Sequence, residues 1–174
     1  MSRIIIVYGS IAGSATIASA ILGLQLGGGD TQHLAALEWL GYLVMLLALS
    51  VIFVGIKRYR DVHQGGVIRF RRAVLVGVGI SAVASGVYVA IWEVHLALTD
   101  HAFIEEYTAA MLAEQQAAGV GEADLAAARA QAEQIKERYA NPVYRVMITL
   151  SEIFPVGLLI SLVAAAVLRT RKPA

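Results

Sequence analysis

An all-α fold, a four-helix transmembrane bundle with an outer amphipathic helical hairpin between helices three and four, follows from three features of this 174-residue sequence. First, 58% of the residues are hydrophobic and 16% charged, with a mean hydropathy of +0.68, against roughly 45–50% and 25% in soluble domains. Too little of the chain is polar to coat a globule. Second, four apolar stretches each reach the roughly 20 helical residues that cross a bilayer core of about 30 Å, where a helix satisfies its own backbone groups. Third, the charges are segregated, basic at one set of connectors and acidic in the one long connector.

The first helix is expected from about Ile4 to Leu26. Arg3 ahead of an apolar run resembles a signal peptide. However, Gly27 to His33 offers no small-residue cleavage site and three more apolar segments follow, so a retained helix is predicted. Its Gly9, Gly13, Thr16, Ala20, Gly23 and Gly27 fall in one stripe at about 100° per residue, a surface on which another helix can approach closely. The second helix is expected over Leu34–Ile56, capped by Asp30 or Thr31. Lys57, Arg58, Arg60, Arg69, Arg71 and Arg72 follow around a Gly65–Gly66 turn. The third helix is expected over Ala73–Leu98, with a shorter small-residue stripe of Gly79, Ala82 and Gly86.

The connector Thr99–Asn141 carries Asp100, Glu105, Glu106, Glu114, Glu122, Asp124, Glu133 and Glu137 against Arg129, Lys136 and Arg138. Phe103, Tyr107 and Met111 recur at helical spacing. Gly119 and Gly121 interrupt, and Leu125, Ala128, Ala132, Ile135 and Tyr139 recur again. Two amphipathic helices are predicted, extending helices three and four beyond the bilayer and packing on each other. The fourth helix, Val143–Leu168, follows a cap at Asn141 and a first-turn Pro142. Residues 1–174 are read as one membrane domain.

Arg3, the six basic residues between helices two and three, and Arg169, Arg171 and Lys172 make ten of the 14 Lys and Arg, while Gly27–His33 has none. The positive-inside rule predicts that both termini face the cytoplasm. Trp39 and Trp92 then fall near the outer boundary, and Tyr59 and Phe70 near the inner one.

Charged groups inside a span are costly, so Glu93 and Glu152 stand out. Glu93 shares a helical face with Gly79, Ala82 and Gly86 and is expected to look toward neighbouring helices. Glu152 precedes Pro155, whose missing N–H frees the Ser151 carbonyl and should kink the helix. A carboxylate, that carbonyl and the hydroxyls of Thr149 and Ser151 then define a candidate cation or proton site, with a hydrogen-bonded packing lock as the alternative. Lys57, Arg58, Arg60, Arg69, Arg71 and Arg72 are candidate contacts for anionic lipid headgroups or phosphate, or topology determinants alone. His33, His95 and His101 lie at the outer rim near Glu38, Glu93 and Asp100 without paired ligand spacing, so no metal site is expected. With no cysteine, there is no disulfide framework. No nucleophile–base set, phosphate loop or dinucleotide fingerprint is present; neither catalysis, a cofactor nor a nucleic-acid partner is expected.

Tyr8–Gly9, the run Gly55-Ile56-Lys57-Arg58-Tyr59-Arg60-Asp61, Gly65–Gly66 with Ile68 and Phe70, Trp92, Tyr107, the entry Tyr139-Ala140-Asn141-Pro142, and Thr149, Glu152, Pro155, Val156 and Gly157 resemble the domain-of-unknown-function 4199 family of bacterial membrane proteins. The resemblance implies a four-pass protein of the bacterial envelope and brings no activity; the inner (cytoplasmic) membrane is the expected location. The leading functional expectation is a non-enzymatic accessory or scaffold subunit acting through helix packing, with itself or a larger envelope complex as partner. A small proton- or cation-coupled carrier using Glu152 and Glu93, and a protein that binds anionic membrane lipids, are the alternatives.

Overall fold

The computed structural model describes residues 1–26 and 34–170, with side chains for 1–25 and 41–170. The expectations placed on Gly27, Asp30, Thr31, His33, Arg171 and Lys172, and on the side chains of Glu38 and Trp39, lie outside the described residues. The described chain is helical throughout: α1 (Ser2–Leu26), α2 (Leu34–Leu49), α3 (Val51–His63), α4 (Phe70–Leu98), α5 (Ala102–Ala117), α6 (Glu122–Ala140) and α7 (Pro142–Leu168). Four spans are long and apolar enough to cross a membrane: Ser2–Gln25, Gly41–His63, Phe70–Leu98 and Pro142–Leu168. Only 22–33% of the most apolar stretch of each is buried within the chain. Much of the remainder faces outward, as Leu47, Leu75, Leu159 and Val163 do, which suits a surrounding of lipid and not of water.

The second span is α2 and α3 in tandem. They meet at Ser50, whose N–H is shared between the Leu46 and Leu47 carbonyls and whose own carbonyl accepts from Phe53 in a tightened turn. The helix continues to His63, so Lys57, Arg58 and Arg60 sit on its last turns and not in a connector. Lys and Arg are good helix formers whose long stems let the charge reach the interface. Arg71 and Arg72 likewise belong to the first turn of α4, which leaves Arg69 in the connector. The connector between α3 and α4 turns at Gly65 and Gly66, both at positive φ (59° and 84°), a conformation glycine adopts without strain.

The hairpin helices are not extensions of the spans. Asp100 and His101 take left-handed φ of 49° and 60° and turn the chain between α4 and α5. Asn141 is extended (φ −75°, ψ 114°) between α6 and α7, because a residue before proline is pushed out of the helical region. Its Oδ1 accepts hydrogen bonds from the N–H groups of Val143 (2.9 Å) and Tyr144 (3.4 Å), the cap expected from the sequence. α5 and α6 pack on each other through Thr108, Ala128 and Ala132, all buried. Lys136 reaches across to Glu105 at 2.6 Å. The hairpin is otherwise thinly packed, and Tyr107 points outward at 53% exposure.

α4 is the centre of the bundle. α1 and α7 each pack along it, and α3 packs on α1, α4 and α7. Its buried face is Ala73, Val76, Gly77, Ile80, Ser81, Ala84 and Ser85, one position away from the stripe of Gly79, Ala82 and Gly86 that the sequence suggests. Gly86 has open space where a Cβ would go, and Gly23 on α1 is the same; among the described residues neither forms a close helix contact. Gly79 touches the flexible end of Ile5. Gly9 and Gly13 are true points of approach: a Cβ on Gly9 would lie 2.9 Å from the Ile80 carbonyl oxygen, and one on Gly13 would collide with the backbone of Ala84.

The α4–α7 seam is built from Gly77 with Ser81 and Gly157 with Ser161. Each glycine receives the serine of the other helix, with a Gly77 Cβ position 2.7 Å from Ser161 Cβ and a Gly157 Cβ position 2.9 Å from Ser81 Cβ. The two serine hydroxyls meet at 3.0 Å, and Oγ of each serine also lies within bonding range of its own helix's glycine carbonyl, Gly77 at 3.0 Å and Gly157 at 2.7 Å. Buried hydroxyls thus find partners without water, which apolar surroundings demand, and small residues bring the two backbones together.

At the end carrying the helix termini near Arg58 and Arg69, Thr170 ties α7 to the turn before α4: its N–H donates to the Ile68 carbonyl (3.1 Å) and its hydroxyl accepts from the Ile68 N–H (2.8 Å). We call this the basic end, and the opposite one the hairpin end.

Candidate functional site

The packing order that makes α4 central also opens the molecule at the hairpin end. α1 and α7 both lie against α4 but scarcely touch each other. Toward the basic end α3 fills the space between them; toward the hairpin end α2 keeps to α1 and barely reaches α7. A cleft of about 360 Å³ results. Tyr88 and Trp92 of α4 form its floor, Ala20 and Leu24 of α1 one wall, Ile148, Thr149 and Glu152 of α7 the other, and Phe103 and Tyr139 of the hairpin its roof.

The roof is held by aromatic contacts and one ion pair. Phe103 meets Trp92 edge to face at 4.9 Å between ring centroids, and Trp92 Nε1–H donates to Tyr139 Oη at 3.0 Å. His95 stacks on Trp92. Arg145, in the first turns of α7, grips Glu93 of α4 with two hydrogen bonds, Nε to Oε1 at 2.8 Å and Nη2 to Oε2 at 2.6 Å, and its Nη1 donates to the Tyr139 carbonyl at 3.1 Å. Its guanidinium also lies 5.8 Å from the Tyr139 ring centre. Burial is the main influence on the Tyr139 phenol and pushes its pKa up; the Trp92 hydrogen bond and the Arg145 charge act the other way, and the carboxylates of Glu152 and Glu93 add to the rise. Tyr139 is therefore neutral at physiological pH.

Glu93 does face a neighbouring helix, as the sequence predicts, but its partner is a cation and not a cavity. Paired with Arg145, whose side chain is 7% exposed, it is neutralised and held in place. Arg145 is the residue that reading the sequence missed. The signal was present: an arginine three residues inside the predicted fourth span is as costly there as a glutamate, and it asks for a partner of opposite charge.

Glu152 lies about two turns deeper along α7 than Arg145, roughly 10 Å at 1.5 Å per residue. Among the described residues its carboxylate has neither a hydrogen bond nor an ion pair. Thr149, buried beside it in the cleft wall, bonds the Arg145 carbonyl (2.9 Å). Ser151 does not join them: it is exposed on another face of α7, and its hydroxyl bonds the Ile148 carbonyl (2.6 Å). One residue of helix turns a side chain by about 100°, so neighbours of Glu152 in sequence need not share its face. α7 runs on through Pro155 as a single element, which leaves the Ser151 carbonyl without its helical donor.

Among the described residues no three His, Asp or Glu side chains are placed to hold a metal ion; His95 is engaged by Trp92, and His101 sits at the α4–α5 turn. At the basic end, Arg60 is paired with Asp61 (2.7 Å) and Arg72 bonds Gln64 (3.0 Å). Lys57, Arg58, Arg69 and Arg71 are exposed. A second groove of about 450 Å³ lies between α1 and α3, with Arg3, Arg58 and His63 at its rim and Ile4, Val7 and Tyr8 below. The structure thus brings Arg58 together with Arg3, and leaves the other candidate lipid contacts spread over the end of the bundle.

Four apolar spans and an outward apolar surface define a multi-pass helical membrane protein. The chain belongs to the family described as Protein of unknown function (DUF4199), which matches residues 7–170. No curated protein and no solved structure matches it.

Proposed function

We propose that this is a non-enzymatic carrier of the bacterial inner membrane that holds a proton or a cation at Glu152. The observation that carries this reading is a carboxylate on the wall of a cleft in the membrane-spanning part of the chain, with no protein partner among the described residues. Such a group is costly unless something neutralises it, and a site is the usual reason for keeping one. Glu93 is not the outer entrance to this site. Its bond to Arg145 makes it part of the roof.

An accessory or scaffold role acting through helix packing is the weaker reading. Gly9 and Gly13, its main support, are occupied by α4 within the chain, and Gly23 and Gly86, which meet no described neighbour, lie on different helices and do not form a continuous seam.

Pyranine-loaded proteoliposomes under a valinomycin-clamped inward drive are expected to acidify with the parent protein. With Glu152→Gln they should match protein-free vesicles. Equal acidification by parent and variant sinks the carrier reading. The excess of Lys and Arg at the basic end supports an orientation with both termini in the cytoplasm and the hairpin outside. The chain has no cysteine, so single cysteines report topology cleanly: in intact spheroplasts Ala118→Cys should react with a membrane-impermeant maleimide and Val67→Cys should not. The opposite pattern reverses the orientation.

A further inference from the structure

We infer that the cleft at Glu152 is a site for an organic ammonium cation with an apolar body, entering between α1 and α7. This rests on the reading of Glu152 as the working group of the cleft, and it names the ligand class. Three observations carry it.

The first is the composition of the walls. Tyr88, Trp92, Phe103 and Tyr139 line the cleft together with Glu152, the one carboxylate among its described lining residues. An inorganic divalent cation needs six or more oxygen ligands or retained water, and aromatic walls provide neither. A quaternary or alkylated ammonium is recognised by aromatic rings and a counter-charge. The second is the charge balance. Arg145, which bonds the Tyr139 carbonyl behind the roof, would repel such a ligand if its charge were free. Its two-pronged bond to Glu93 cancels it, so among the described side chains the net charge offered to the cleft is that of Glu152. The third is size and access. A volume of about 360 Å³ lies within the roughly 300–1,000 Å³ of small-molecule sites and far exceeds what a proton requires. The poor contact between α1 and α7 leaves a mouth flanked by Leu24, itself exposed, through which an amphiphilic cation reaches the cleft from the bilayer.

The test uses the full chain in detergent with Trp39→Phe, which leaves Trp92 as the single tryptophan on the cleft floor. Benzyltrimethylammonium is expected to change Trp92 fluorescence saturably. Neopentylbenzene, its uncharged isostere, should bind at least about tenfold more weakly, and potassium should not compete. Glu152→Gln on α7 and Ala20→Leu on α1, the second narrowing the cleft with no change of charge and no added tryptophan, should each weaken binding by about tenfold or more while eluting and melting like the parent. Retention of binding by both variants, or equal binding of the isostere, overturns the inference. The arms separate this inference from the carrier reading. Cation binding without Glu152-dependent flux sinks only the carrier, and flux without binding of benzyltrimethylammonium sinks only the ligand class.

Discussion

Arg145→Ala is expected to destabilise the protein by about 3 kcal/mol, because removing one member of a buried ion pair leaves the other charge unpaired in poorly hydrated surroundings. Arg145 is 7% exposed and Glu93 29%. The partial exposure of Glu93 places the cost at the low end of the usual range of about 3–5 kcal/mol. The loss extends beyond the pair, since Arg145 Nη1 also bonds the Tyr139 carbonyl at the end of α6 and so ties the hairpin to α7 and α4. A fall in melting midpoint of roughly 6–12 °C is expected for a chain of this size. The companion Arg145→Met/Glu93→Leu should recover most of it, because apolar residues of similar volume replace a buried pair at little net cost. If the double variant melts as low as the single one, the guanidinium contributes through its bond to Tyr139 and not through Glu93.

Gly13→Leu is the second large effect. A Cβ at Gly13 would fall on the Ala84 carbonyl oxygen and lie 3.0 Å from Ala84 Cα and from Val87 Cβ. These are largely backbone atoms and the branch point of a stiff side chain, so nothing can rotate aside, and α1 must separate from α4. Overpacking of this kind costs about 1–3 kcal/mol and occasionally more; the backbone obstruction puts Gly13 at the upper limit. The rest of the glycine set supplies controls within the same chain. A Cβ at Gly79 would lie 2.9 Å from Ile5 Cδ1, the end of a flexible side chain, so Gly79→Ala should cost little. Gly23→Ala and Gly86→Ala meet no described atom within 4 Å and should be neutral or stabilising by up to about 1 kcal/mol, from helix propensity. Thermal melts of the four variants check the order. A Gly13→Leu protein that melts with the parent contradicts the α1–α4 contact.

The melting order of those glycine variants also separates what can be read along the chain from what cannot. Gly9 and Gly13 were identifiable as packing residues because they lie one turn apart on one face and, unlike the many serines and alanines of α1, carry no Cβ to hold a neighbouring backbone away. On α4 small residues occur on more than one face, Gly77 and Ser81 as well as Gly79, Ala82 and Gly86. Periodicity alone does not choose between faces one position apart. The choice is made by α7, where Gly157 and Ser161 repeat the Gly-x-x-x-Ser spacing of Gly77 and Ser81 and fit against it.

The site divides in the same way. Two intramembrane carboxylates marked the right half of the bundle, because their cost in lipid is a property of the residue type. Their roles differ for reasons of geometry: Glu93 has Arg145 on the facing helix, and Glu152 has the space left where α1 and α7 diverge. Neither a partner 52 positions away nor a gap between three helices leaves a local trace.

By itself the sequence determines an all-helical membrane bundle, its four spans, the segregation of basic from acidic ends, and the cap and turn chemistry at Asn141, Gly65 and Gly66. These follow from hydrophobic length and backbone preference, which act over a few turns. Tertiary structure alone decides which glycines touch a neighbour, that α5 and α6 fold over the bundle and do not prolong α4 and α7, that Arg145 neutralises Glu93, and that Glu152 is left facing a cleft. In lipid the apolar surfaces of all helices are nearly equivalent; close packing and charge pairing between helices, and not hydrophobicity along them, select the arrangement.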